Sequence, residues 1–146
     1  MSAKQGLGDL FNLATSATTG VVRANLENAA GITIVMIGAT SGNVDISEQT
    51  AASGGTNQIL GGAGAGLALT YFTQNNGVWT KRTGTGAAVC QVVGQTGGLL
   101  AVYVPAVALS DGFKYIAASH APGSFVYILH GLEVHRDPVN LKAVTA

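Results

Sequence analysis

From Val21 onward, short apolar or alternating segments are cut by turn residues. Val21–Glu27 reads as an approximate strand with mixed faces. Ile32–Ile37 is a β-branched run of high strand propensity. Ser41-Gly42-Asn43 reads as a turn, and Val44–Ser47 then alternates apolar with polar. Thr50–Gly55 is a loop, Thr56–Leu60 a short strand, and Gly61–Gly66 a flexible loop. Leu67–Thr73 and Val78–Arg82 flank Gln74-Asn75-Asn76-Gly77. Asn-Gly suits positive φ at both central positions of a tight turn, so this is the strongest hairpin signal in the chain. Ala87–Val93 and Leu99–Val104 follow, then an Asp111-Gly112 turn, Phe113–Ser119, a Pro122-Gly123 turn and Ser124–Val134.

About eight to ten short strands with turns every 8–12 residues predict an all-β protein: one β-sandwich, jelly-roll-like, of antiparallel strands. Crossover helices of the βαβ kind have no room between them. Residues 1–20 differ. Leu7, Leu10, Phe11 and Ala14 fall at helical spacing, which predicts a short helix or an extended arm. Three regions are therefore expected: an arm at 1–20, the sandwich at 21–135, and a polar tail at 136–146.

Composition sharpens this. Of 146 residues, 22 are Ala and 21 are Gly, while only 10% are charged, seven basic and seven acidic. A basic nucleic-acid arm or an acidic tail needs a charge bias that is absent. Soluble monomers ordinarily cover themselves with Lys and Glu. A surface of Ala, Gly, Thr and Val instead suits close docking, because it desolvates no charge on contact. One cysteine, Cys90, forms no internal disulfide and reads as a small buried hydrophobe in a β-like run. The N-terminus has no uninterrupted apolar stretch of the secretory kind, and no 18-residue apolar run occurs. Synthesis in a cytoplasm, with no membrane partner, is expected.

Candidate chemistry is thin. The Gly61–Gly66 loop lacks the Lys and the Ser or Thr of a phosphate loop, since Leu67-Ala-Leu-Thr70 follows it. His120 and His130 could meet across the Pro122-Gly123 turn, but two ligands make a weak metal site, and none is expected. His130 and His135, five apart, point to opposite faces of a regular strand. Asp45 and Glu48 share a neighbourhood without forming an acid–base pair, and Asp111 is explained by its turn. Lys81-Arg82 after Trp79 could suit a stacked base or a phosphate, but a solvated strand end with one core or interface Trp is the expected explanation. Tyr71, Phe72 and Trp79 can pack across the hairpin. No catalytic residue and no cofactor are expected.

The C-terminal third carries a resemblance. Leu109-Ser-Asp-Gly-Phe-Lys-Tyr-Ile116, Gly123-Ser-Phe-Val-Tyr-Ile-Leu-His130 and Leu132-Glu-Val-His-Arg-Asp-Pro-Val-Asn-Leu141 resemble small virion structural proteins of tailed bacteriophages, notably those of actinobacterial phages. Val21–Asn28 and Thr50–Thr56 fit the same kind of protein, so the likeness spans loosely residues 20–141. Gly131 departs from it, standing where an acid is expected after His130.

The resemblance implies a non-enzymatic β-sandwich on the capsid exterior, a head decoration (cement) protein that binds and stabilises the major capsid protein shell. The expected partners are the major capsid protein and further copies of this chain, a trimer before a dimer. Nucleic acid is not among them. Leu7, Leu10, Phe11, Trp79, Arg136 and Leu141 are the expected interface residues. The alternatives are a tail-tube, tail-terminator or minor tail protein, and a carbohydrate-binding β-sandwich. Trp79 with Asn75 and Asn76 is the candidate sugar cluster, and Tyr103, Tyr115 and Tyr127 are open to a core reading.

Overall fold

A computed structural model describes residues 11–16, 21–39, 42–62, 67–84, 89–92, 98–120, 123–133 and 143–145. The chain is nearly all β, as the turn spacing predicts. Its strands are β1 (Phe11–Ser16), β2 (Ala24–Asn25), β3 (Gly31–Ala39), β4 (Gly42–Gln49), β5 (Asn57–Ile59), β6 (Thr70–Asn75), β7 (Val78–Thr83), β8 (Val89–Val92), β9 (Gly98–Pro105), β10 (Tyr115–Ser119) and β11 (Ser124–His130). A 3₁₀ turn, Ala106–Ala108, follows β9. The count passes the expected eight to ten because β2 and β5 are only two and three residues long.

Two antiparallel sheets form the sandwich. One has six strands in the order β1-β11-β3-β9-β6-β7. The other runs β2-β10-β4-β5, with β8 also on β4. Strict alternation builds the core. Ile32, Ile34 and Met36 of β3, Leu100, Val102 and Val104 of β9, and Phe125, Tyr127 and Leu129 of β11 point inward. They meet Ala24, Val44, Ile46, Ile116 and Ala118 of the second sheet in one cluster. Tyr127 ties the sheets together. Its phenol accepts from Ala118 N–H (3.2 Å) and donates to the Ala118 carbonyl (3.3 Å). Those groups are open because β2 pairs with β10 only at Tyr115 and Ile116. A buried phenol thus caps the strand edge that the short β2 leaves bare.

Several expectations are corrected. Residues 11–16 take the extended alternative, not the helical one, with all six residues paired to β11. A free strand edge on β11 offers this segment more than one or two isolated helical turns would. Gly42 and Asn43 begin β4 instead of turning. The Val21–Glu27 strand shrinks to Ala24–Asn25. Pro122-Gly123 does not join a hairpin, because β10 and β11 lie in different sheets. At the other end of the chain, Val144 is buried in the core and its carbonyl accepts from Asn25 N–H at 2.7 Å. The Asn76-Gly77 hairpin forms as read, with φ of 48° and 81°. Asn75 faces Val78, so the loop has two residues, both at positive φ as a type I′ turn requires.

A candidate interface on the outer sheet face

The six-stranded sheet turns its second face outward, and the register orders that face in rows. Leu13, Ile128, Thr33 and Tyr103 lie opposite one another across β1, β11, β3 and β9. The next row runs Thr15, Val126, Val35, Ala101, Phe72 and Lys81, from one edge of the sheet to the other. A third runs Ser124, Ile37, Leu99, Gln74 and Trp79. Five large apolar side chains of this face are exposed, from Phe72 at 43% to Leu13 at 52%, the others being Ile37, Tyr103 and Trp79. Exposed apolar groups gathered on one face of a soluble protein mark a contact site, and these five share one face of one sheet.

Electrostatics point the same way. Among the described outward residues of these rows, Lys81 is the one formal charge, and it stands on the edge strand β7. Arg82, its neighbour, turns to the opposite face, where its Nε donates to Thr73 Oγ1 at 2.8 Å. Strand alternation therefore splits the Lys81-Arg82 pair, and among the described residues the two do not form a basic patch beside Trp79. Tyr71 is likewise separated from Phe72 and Trp79. It is buried, while the other two share the outer face.

Polar groups gather at one end of the face. His130 Nε2 and Thr33 Oγ1 share a hydrogen bond of 2.7 Å, and the rings of His130 and Tyr103 lie 6.1 Å apart. Tyr103 leans over Gly31, where a Cβ would come within 2.5 Å of its hydroxyl. A hydroxyl on an imidazole has the look of a nucleophile and its base. Among the described residues, the ring's partners are Thr33 and Tyr103, neither of them a carboxylate that could orient the imidazole. The arrangement serves to satisfy His130 within an apolar surface.

The remaining candidates are dispersed. His120 follows β10 and its Nδ1–H donates to the Asn43 carbonyl of β4 at 2.7 Å, both strands in the second sheet, whereas His130 ends β11 of the first. Among the described residues, no three His, Cys, Asp or Glu side chains are grouped to hold a metal ion. Glu48 is fully buried, a feature that its place beside Asp45 in an alternating strand did not announce. Its Oε1 accepts from Gln58 Nε2 (2.7 Å) and Ser110 Oγ (2.6 Å), and its Oε2 from Ser110 N–H (2.8 Å). This pins the loop after the 3₁₀ turn to β4. Tyr103, open to a core reading from sequence, is on the outer face; Tyr127 is core.

Of the expected interface residues, Trp79 lies on the outer face. Phe11 begins β1, its backbone paired with His130. Leu7, Leu10, Arg136 and Leu141 lie outside the described residues. Cys90 is on β8 opposite Val44, its side chain outside the description. Among the described residues no helix is long and apolar enough to cross a membrane. Fold and face together define a two-sheet β protein whose outward sheet surface carries one formal charge, Lys81, among the described residues of its rows. Comparison with family models, curated proteins and solved structures found no match.

Proposed function

We propose that this chain is a non-enzymatic structural component of a tailed-phage virion, a head decoration protein seated on the major capsid protein. The observation that supports this most is the outer face of the six-stranded sheet: apolar, nearly uncharged, and spread over six strands. A surface of this kind is stable in water when it is covered, and an assembly of many copies supplies the cover. The low charge content supports the same reading, because packing many neutral surfaces together desolvates few ions. The resemblance of residues 109–141 to small virion proteins supplies the particular assembly.

Imaging the phage particle that this chain belongs to tests the reading. The chain is expected on the exterior of the head in hundreds of copies, and shells lacking it are expected to open at lower temperature. Its absence from the particle, or a few copies at the tail, would overturn the assignment to the head.

A further inference from the structure

We propose that the outer face of the six-stranded sheet pairs with the same face of a second copy of this chain, as a two-fold dimer. This rests on reading the face as an interface. Three observations lead to the occupant.

The first is area. Six strands spaced by ~4.8 Å span about 24 Å between the outermost axes, and strands of six to nine residues run roughly 20–30 Å. The footprint is on the order of 600 Å² before side-chain relief is counted, close to the ~800 Å² of accessible surface per partner in a stable complex. A docked helix, ~10 Å across, would leave more than half of it bare. A flat face of equal breadth covers it, and this chain carries one.

The second is shape. The β9-β6-β7 half bears the large rings Tyr103, Phe72 and Trp79. The β1-β11-β3 half bears the aliphatic Leu13, Ile128 and Val35. A two-fold axis lying in the interface parallel to the strands sets each half on the other half of its partner and keeps each row on itself, so that Phe72 meets Val126, Val35 meets Ala101 and Ile37 meets Leu99.

The third is charge. That axis places β7 over the partner's β1, so the two copies of Lys81 sit at opposite ends, separated by more than two Debye lengths at physiological salt. An axis across the strands would set β7 on β7 and bring the lysines together, which disfavours it. A face meeting itself is isologous and closes at two copies, so the expected trimer gives way to a pair.

Sedimentation equilibrium and light scattering on the full chain test this. The wild type is expected at twice the chain mass, with Trp79 emission moving to longer wavelength as dilution separates the copies. Val35→Lys, at the centre of the face, is expected to halve the mass with unchanged circular dichroism. Phe72→Glu, at an exposed position, gives the same reading if Val35→Lys misfolds. Val107→Lys, on the 3₁₀ turn away from the face, is expected to stay dimeric. A wild type that is monomeric at all concentrations, a trimer, or a dimer indifferent to both face variants overturns the proposal. Binding of the variants to empty shells separates the two readings. A monomeric wild type whose shell binding is lost with Val35→Lys refutes the pair and leaves the face an interface. Unchanged shell binding in a monomeric protein refutes both.

Discussion

Replacing Glu48 by Met would remove a buried carboxylate while nearly keeping its volume. Two effects oppose each other. Among the described residues, Glu48 bonds no cation, and its partners are the three donors from Gln58 and Ser110. Removing a buried charge relieves its desolvation, and apolar replacements of buried ionic groups are often neutral or stabilising. Against this, the three donors lose their acceptor, and each buried donor left unpaired costs about 1–3 kcal/mol. Gln58 and Ser110 are half-buried, so the Gln58 amide and the Ser110 hydroxyl can turn to water. The Ser110 backbone N–H cannot turn without moving the loop. One full penalty plus the lost charge-assisted bonds gives a net loss of about 2–3 kcal/mol. Glu48→Gln keeps an acceptor for Ser110 N–H and is expected to lose about 1 kcal/mol. In urea at neutral pH, a slope of about 2 kcal/mol/M puts the Met midpoint roughly 1 M below wild type. Amide exchange should locate the effect, with Ser110 N–H losing protection in the Met variant while the β3 amides keep theirs. A Met variant as stable as wild type, or unchanged Ser110 protection, would refute the view that these bonds outweigh the buried charge.

Other sites give sharp outcomes. Tyr127→Phe leaves Ala118 N–H and C=O unpaired in the core and is expected to cost about 1–2 kcal/mol in urea melts. Burial holds the Tyr127 phenol above its ordinary value of 10.0. The unfolded chain therefore ionises first, so this stability is full below about pH 10 and falls as pH rises toward the folded value. The gap between wild type and Tyr127→Phe should narrow over that alkaline range, and a constant gap would contradict the burial argument. Gly31→Ala sets a Cβ 2.5 Å from the Tyr103 hydroxyl and 2.7 Å from the Val104 carbonyl oxygen. The ring can swing away but the backbone cannot, so a loss of about 1–3 kcal/mol is expected in thermal melts, only partly recovered by adding Tyr103→Ala. Asn76→Ala puts a Cβ-bearing residue with no compensating side-chain bond at φ 48° and should cost about 1 kcal/mol, while Asn76→Gly should stay within a few tenths.

What the chain determined by itself is the local part of this architecture. Asn76-Gly77 needs only two residues at positive φ, and the β6–β7 hairpin follows from them. The alternation of Phe125, Tyr127 and Leu129 with their neighbours marks β11 in the same way, because side chains of a strand point alternately to its two faces. Tertiary structure decided the rest. Ile32–Ile37 is apolar at nearly every position, so its pattern does not tell the core side from the side that meets a partner. Only pairing with β9 and β11, over the second sheet, sends Ile34 inward and Val35 outward. The separation of His120 from His130 and the burial of Glu48 depend on which sheet each strand joins, a choice made by contacts distant in the chain. The outer face is the strongest case. Its six strands come from residues 11 to 130, and its apolar rows exist only once the register sets Leu13, Val35, Phe72 and Trp79 on one side of one sheet.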